Sequence, residues 1–191
     1  AEYLDVLAER GEREDTLVVF TSDHGEMLGD HDQWAKRSPY QPSVGVPLVV
    51  DGPGVTSSRG AAPTTTLDLH ATLLDYAGLD AGDVDSRSLR PVLAGERDPG
   101  DHRAAVYSGV GPWRMVFDGR HKLVAGYDRD RENAAQVEAF DETTDSREPG
   151  MADTDPLLFD LASDPGETTD LAGERPGVVA DLWDHLRAVR E

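Results

Sequence analysis

One short stretch, residues 16–25, restricts the possible folds of this chain more than any other. Its run Leu17–Phe20 is apolar without alternation, which predicts a strand buried on both faces, as in the parallel sheet of an α/β protein. Two hydroxyl residues follow the run, and then come Asp23, His24 and Gly25. Because ligands of open α/β sheets bind beyond the carboxyl ends of the strands, Asp23 and His24 are placed for chemistry there. A carboxylate and an imidazole are also good ligands for a divalent metal ion.

The pattern around this stretch predicts an α/β core over residues 1–98. A helical apolar stripe covers residues 2–10, and residues 25–45 carry Gly and Pro without a steady period, which indicates a long ordered loop. A second apolar strand is predicted at 48–50. The helix after it should end at Gly78. Its predicted buried face consists of Leu69, Leu73, Leu74 and Ala77.

Residues 99–191 have a different texture, which predicts a smaller antiparallel α+β subdomain. An acidic excursion at 128–155, with a short helix at 134–140, interrupts it. Asp118-Gly119 is a hairpin signal between two of its strands. The predicted strands are 104–108, 113–117, 121–125 and 157–161, and a last helix at about 177–190 should bury Val178, Leu182 and Leu186. The predicted fold class is thus α/β, a mainly parallel sheet flanked by helices, with a smaller carboxyl-terminal antiparallel sheet packed by a helix.

The charge of the chain limits its partners. The sequence has 38 acidic and 18 basic residues and a formal net charge of −20, which repels nucleic-acid phosphates and anionic lipids. The acidic residues are interleaved with apolar segments, which favours the hydrated surface of a halophile's protein; an ordinary acidic protein is the alternative. The chain has no cysteine, so it forms no disulfide and no thiolate metal site. It also lacks an apolar run of about 18 residues, which argues against a membrane span.

A series of motifs in a fixed order carries a family resemblance. The series is T-S-D-H-G-E-M-L-G-D-H at 21–31, Trp34-x-Lys36, Tyr40, V-P-L-V-V at 46–50, G-R-H-K-L at 119–123, L-F-D-L at 158–161 and D-P-G-E at 164–167. In this order the motifs resemble the carboxyl-terminal half of sulfatases and phosphonate monoester hydrolases, which belong to the alkaline phosphatase superfamily. Proteins of this family are roughly twice as long as the chain, so the resemblance implies a carboxyl-terminal half.

The resemblance implies one divalent metal ion. Asp23 and His24 match two of its ligands, and the other ligands would come from the missing amino-terminal half. In the alternative reading, Asp23 only caps a following helix. An imidazole suits manganese, zinc or iron better than calcium, whereas sulfatases with Asn in place of His24 look calcium-dependent. Ca²⁺ and Mn²⁺ are therefore both open, with Zn²⁺ and Mg²⁺ ranked below them.

Two further residues are predicted to be catalytic. Lys36 matches the family lysine that contacts a non-bridging oxygen of the sulfate or phosphonate, where an ammonium stabilises developing charge. Because Lys36 and Lys122 are the only lysines among 18 basic residues, the ammonium at position 36 suggests a function; a surface lysine is the alternative. His31 is interpreted as a leaving-group acid or as a donor to a metal ligand, with an ordinary loop histidine as the alternative. The remaining histidines are predicted to be structural or to lie on the surface.

The chain departs from the family pattern at two places and lacks one essential group. The family's Tyr-Glu pair is Tyr40-Gln41, and its arginine before Val-Pro is Gly45, so an ion pair between the two positions would be lost as a whole. Sulfatases use a formylglycine made from a Cys/Ser-x-Pro-x-Arg motif. The one Ser-x-Pro, Ser163–Pro165, lacks the arginine. The formylglycine is therefore expected in the missing half.

The sequence predicts the carboxyl-terminal part of a metal-dependent hydrolase of sulfate, phosphonate or phosphate esters that is inactive without its amino-terminal half. Two alternatives stay open. One is a non-catalytic halophilic remnant or assembly module, and the other is a fragment of a phosphoglycerol or phosphoethanolamine transferase. A homo-oligomer is also left open.

Overall fold

The chain forms two compact units that interleave along the sequence. The computed structural model describes residues 2–60, 62–129 and 154–188. Unit 1 consists of Ala1–Asp23 and Val46–Arg103, and unit 2 consists of His24–Gly45 and Ala104–Glu191. Residues 24–45 thus group with the carboxyl-terminal part of the chain. The division into domains 1–98 and 99–191 stays a prediction.

The strands of unit 1 pair in the direction opposite to the prediction. β1, Val18–Thr21, and β2, Leu48–Asp51, form an antiparallel pair in which Val18 lies opposite Asp51. The two form a two-stranded sheet, to which no other strand of the described residues is joined. Phe20 is 64% exposed and Val49 58%. The face that carries Phe20 and Val49 is therefore exposed among the described residues, and the parallel, doubly covered arrangement expected for β1 is absent from them.

The α-helices among the described residues of unit 1 are α1, Glu2–Glu9, α3, Asp68–Tyr76, and α4, Arg90–Leu93. Helix α3 ends as predicted, because Gly78 has a φ of 70° and its N–H donates to the Asp75 carbonyl. The predicted buried face is wrong, since Leu73 is half exposed while Asp68, Ala71 and Thr72 are buried. The buried face of α3 is instead the one that carries the Asp68 carboxylate, because this group is buried with its hydrogen-bond donors.

Unit 2 is built on a four-stranded antiparallel sheet in the order β3-β4-β5-β6. The predicted strands at 113–117 and 121–125 are confirmed, and they are joined at Asp118 and Gly119 as expected. The bounds are Val106–Val110 for β3, Trp113–Phe117 for β4, His121–Ala125 for β5 and Leu157–Asp160 for β6. The predicted helix at 134–140 and most of the acidic excursion lie outside the described residues.

The two faces of this sheet bury different partners, because successive side chains of a strand point to opposite faces. Leu123 and Leu158 pack on one face with Leu182 and Leu186 of the last helix, α5, Pro176–Ala188, which confirms the predicted apolar stripe of that helix. Core residues of the other face are Trp113, Met115, Val124 and Phe159, and they pack with Met27 and Tyr40. Residues 24–45 therefore cover the face of the sheet that α5 leaves open. They include the short helix α2, Gln41–Val44.

Candidate functional site

The segment His24–Gly45, named the site loop below, carries three of the four predicted site residues: His24, His31 and Lys36. It has little regular structure, but its backbone is tightly held. The N–H of Gly25 donates to the Ser43 carbonyl at 2.8 Å, and the N–H of Met27 donates to the Ala35 carbonyl at 2.8 Å. These bonds tie the beginning of the loop to its end.

The backbone of the site loop is strained. Residues with positive φ are Leu28, His31, Asp32, Ala35 and Arg37. The left-handed region costs a residue other than glycine about 1 kcal/mol or more, and such residues persist only where the surrounding structure fixes them. The contacts between this loop and the sheet must therefore offset several kcal/mol of strain.

Gly25 is required because two backbone segments approach each other closely at this position. A Cβ atom at this position would lie 1.9 Å from the Pro42 carbonyl oxygen. Its φ is not in the left-handed region. The glycine thus allows a close approach of two backbone segments rather than a special turn conformation.

His24 and Lys36 lie in contact. The Nδ1 atom of His24 lies 2.7 Å from the Gly25 carbonyl oxygen. Because a carbonyl oxygen only accepts, Nδ1 carries the proton and donates a hydrogen bond to that oxygen. The lone pair is then on Nε2, and the Lys36 ammonium donates to it. Lys36 is exposed and His24 is half-buried, so the pair lies at the surface of unit 2.

Asp23 precedes His24 directly, two residues after β1 ends, and it is exposed. Its Oδ1 accepts a hydrogen bond of 3.3 Å from the Ser22 hydroxyl. A carboxylate and an imidazole whose Nδ1–H is already used by a carbonyl fit a divalent cation, because metal-binding histidines are oriented in this way. The described residues contain no group of three or more His, Cys, Asp or Glu side chains that can hold a metal ion. Asp23 and His24 can therefore supply part of a coordination shell.

His31 contacts the ring of Tyr40. Its ring stacks on the ring of Tyr40, with centroids 3.7 Å apart and planes 6° from parallel. Tyr40 is buried, and burial raises the pKa of its hydroxyl, which therefore stays protonated. The stacking fixes the His31 ring on a rigid neighbour. Its role as a leaving-group acid or as a donor to a metal ligand stays a prediction.

The two departures from the family pattern are neighbours in space. The N–H of Gly45 donates to the Gln41 carbonyl at 2.8 Å. A Cβ atom at position 45 would lie 3.3 Å from the amide nitrogen of the Gln41 side chain. Side chains at these positions therefore adjoin each other, which agrees with the paired loss inferred from the sequence.

The sequence reasoning missed the residues of the sheet that hold the site loop. The indole N–H of Trp113 donates to the Arg37 carbonyl at 2.9 Å. The amide of Gln33 donates to the Tyr127 hydroxyl at 2.9 Å. Lys122, at 0% exposure, also reaches the loop. One signal was available, because Lys122 is one of two lysines in a chain whose other 16 basic residues are arginines.

The comparisons with known proteins identify the family. Residues 2–79 match the sulfatase family model. The chain is 32% identical over 185 residues to a choline-sulfatase from Rhizobium meliloti (strain 1021). The matched region covers 93% of this chain and 31% of that relative. The chain thus contains a sulfatase-family domain at residues 2–79 and is similar to sulfatases over most of its length. It spans about a third of the length of this relative rather than the half that the sequence predicted.

Solved structures of sulfatase-family proteins and their relatives agree with this assignment. A phosphonate monoester hydrolase from Silicibacter pomeroyi has a TM-score of 0.71 and 31% identity, covering 98% of this chain and 36% of that structure. A structure of a protein with its substrate D-glucosamine-2-N,6-O-disulfate has a TM-score of 0.78 and 25% identity, covering 99% and 37%. The predicted α/β fold class and family resemblance are thereby confirmed. No helix within residues 2–60, 62–129 or 154–188 is long and apolar enough to cross a membrane.

Proposed function

We propose that this chain is the part of a metal-dependent sulfate ester hydrolase that contributes a cation and two metal ligands to the active site. The observation that carries the proposal is the contact of Lys36 with the Nε2 of His24 on a loop whose backbone is fixed at both ends. The sulfatase-family domain gives the reaction class. The likeness to a phosphonate monoester hydrolase keeps phosphonate and phosphate esters as further substrates.

Lys36 acts on the transferring group in this proposal. An ammonium next to the non-bridging oxygens stabilises the negative charge that grows on them as the ester bond breaks. Its exposed side chain can turn from His24 toward a bound ester. Because Lys36 is a compact charge, it can meet one oxygen without the fixed fork of an arginine.

Asp23 and His24 hold the metal ion in this proposal, with Ca²⁺ and Mn²⁺ as the first candidates. A bound divalent ion would lower the pKa of the nucleophile and polarise the ester oxygen. Hydrogen bonding of the His24 Nδ1–H to the Gly25 carbonyl leaves Nε2 as the ligand atom, and Lys36 would leave Nε2 when the metal ion binds there. The nucleophile, a formylglycine, would lie in the part of the protein that this chain lacks. His31 is kept as the candidate leaving-group acid.

The remaining, amino-terminal part of the protein is the proposed partner of this chain. The apolar residues Phe20 and Val49 on the strands of unit 1 are more than half exposed, and the chain spans about a third of its relatives' length. Burying such a pair contributes roughly 1.5–3 kcal/mol for each large side chain. Co-expression of the two parts should therefore yield a complex. Recovery of the chain without its partner after co-expression would contradict this assignment.

Four substitutions in the full-length parent test the catalytic proposal. Asp23→Ala and His24→Ala should each lower the metal content, because each removes a ligand. Lys36→Ala should lower turnover by roughly 100-fold or more with metal content unchanged, because it removes only the cation. Arg37→Ala is the matched control, since it removes the neighbouring exposed cation and should leave both quantities unchanged. Turnover is measured on an aryl sulfate and on an aryl phosphonate monoester, and metal content by elemental analysis.

Two results would contradict the proposal. If Lys36→Ala lost its metal as completely as Asp23→Ala, the proposed role of the lysine would be wrong. Full turnover in all three site variants would place the active site elsewhere. Preference for the aryl phosphonate over the sulfate would favour the phosphonate reaction on the same residues.

A further inference from the structure

A buried ion pair joins the sheet of unit 2 to the site loop. Lys122 of β5 is 0% exposed and Glu167, in the turn after β6, is 2% exposed, and the two side chains form an ion pair. The Lys122 ammonium also donates to the Pro39 carbonyl at 2.8 Å and to the Gln41 side-chain oxygen at 3.3 Å. Glu167 accepts a hydrogen bond from the backbone N–H of Gln41. Both charged groups thus bind the same short segment of the loop.

This segment begins three residues after Lys36. We propose that Lys122 and Glu167 are positioning residues, which hold Pro39 and Gln41 on the sheet and thereby set the place of Lys36 in the active site. Lys122 binds the backbone carbonyl of Pro39, and Glu167 binds the backbone N–H of Gln41. The pair therefore fixes the direction of this segment as well as its distance from the sheet. Neither residue needs to contact a substrate.

The charge balance of the pair supports this inference. Burial lowers the pKa of Lys122, and the adjacent Glu167 carboxylate opposes that shift. A buried cation must be paired, and here one carboxylate pairs with it while the neutral amide of Gln41 completes its hydrogen bonds. A glutamate at position 41, as in the family pattern, would place a second carboxylate on the same ammonium. Gln41 therefore suits a loop that has lost the arginine at position 45.

The conformation of the turn that carries Glu167 supports the same role. The N–H of Glu167 donates to the Asp164 carbonyl at 3.1 Å, and Glu167 has a φ of 54°, in the left-handed region. This conformation is unfavourable for a glutamate, and the buried contacts of its carboxylate offset the cost. The motif Asp164–Glu167 thus delivers a carboxylate to the site loop.

A second buried carboxylate in the same unit provides a control. Asp160 is 1% exposed and accepts hydrogen bonds from Arg120 and Arg175. Its bonds run to Arg120, Arg175 and the N–H of Ala162, and none of them reaches the site loop. Arg120→Met therefore removes one partner of a buried carboxylate away from the site loop, while Arg175 still faces that carboxylate.

Amide hydrogen exchange of the 191-residue chain tests the inference without any assay of activity. The double variant Lys122→Met/Glu167→Gln removes both charges, so that neither is left buried alone. Exchange of the Gly25, Met27 and Gln41 amides should become at least tenfold faster, while exchange within β5 stays unchanged. Arg120→Met should leave the site-loop amides unchanged. If the double variant does not fold, Glu167→Gln alone should give the same loop-confined acceleration.

Unchanged exchange of the site loop would overturn the inference. Equal acceleration in the loop and in β5 would also overturn it, because the pair would then act on the whole unit. The link to catalysis rests on the proposed function and is measured in the full-length parent. There the double variant should lower kcat at least tenfold with KM and metal content kept, and an unchanged kcat would refute positioning of Lys36. An inactive wild-type parent would instead refute the proposed function, and exchange would still decide whether the pair holds the loop.

Discussion

Replacing Asp68 by asparagine should destabilise unit 1 more than any change on its surface. The carboxylate is 0% exposed and accepts hydrogen bonds from the Arg103 guanidinium, with Nε at 3.0 and 3.1 Å from its two oxygens. It also accepts from the backbone N–H of Arg87 at 2.9 Å, from the N–H of Thr65 at 3.3 Å and from His102 at 3.1 Å. Asparagine has almost the same shape, but it has one oxygen fewer and no charge.

The magnitude follows from these contacts. Breaking a buried ion pair by removing one partner costs about 3–5 kcal/mol, because the other charge stays buried. The Arg103 side chain is 14% exposed, so water can compensate it in part. We therefore expect Asp68→Asn to lower the free energy of unfolding by about 3 kcal/mol, at the lower end of this range.

Urea denaturation followed by far-ultraviolet circular dichroism measures the loss. Asp75→Asn is the matched control, because Asp75 lies on the same helix and pairs with Arg90, but their side chains are 38% and 50% exposed. Exposed pairs contribute up to about 1 kcal/mol. A loss in Asp68→Asn no larger than that in Asp75→Asn would refute the reasoning.

The pH dependence of this difference gives a second check. Burial alone would raise the pKa of Asp68, but the bonds from Arg103, Arg87 and His102 together outweigh it and the net pKa is lowered below 3.8. A lowered pKa stabilises the folded state above the ordinary value and loses this effect as pH falls through the folded value. The difference between wild type and Asp68→Asn should therefore be constant above about pH 5 and shrink below it. A difference that grows in acid would contradict the network.

Two further predictions concern the whole chain. The melting temperature should rise from low to molar salt, because added ions screen the repulsion of a net charge of −20; an unchanged melting temperature would contradict the halophile interpretation. The separate chain should not hydrolyse aryl sulfates or phosphonate monoesters, because the proposed nucleophile and part of the proposed metal shell lie outside it. Metal-dependent turnover by the purified chain would contradict this.

The sequence predicted the hairpin of β4 and β5 in unit 2 well because its pairing is local. The strands of residues 113–117 and 121–125 are joined by Asp118-Gly119, a turn that fixes both their direction and their register. The sequence predicted β1 less well. Its apolar run indicates burial but does not identify the partner strand, whose paired residues are 27 to 33 positions away and run antiparallel. The predicted face of α3 failed because Asp68 is buried with its donors, which apolar periodicity cannot indicate.

The candidate site was predicted to a similar extent. The motif order identified the family and drew attention to Asp23, His24 and Lys36, and the structure brings His24 and Lys36 into contact. Their roles as metal ligand and cation stay predictions. The residues that hold the site loop were out of reach, because Lys122 lies 81 residues and Glu167 126 residues from Gln41. Contacts at such separations follow from the folded sheet and not from a local pattern.

The division of the chain into two units explains why motifs far from Lys36 belong to the family resemblance. The segment that bears Lys36 is strained, and it is fixed by side chains of β4, β5 and the turn after β6. The motifs at 119–123 and 164–167 include two of these side chains, Lys122 and Glu167. In the proposed arrangement both motifs position one ammonium, although neither carries a reacting group. A sulfatase-family protein cut before residue 104 would keep Asp23, His24 and Lys36 but lose the sheet on which the site loop lies.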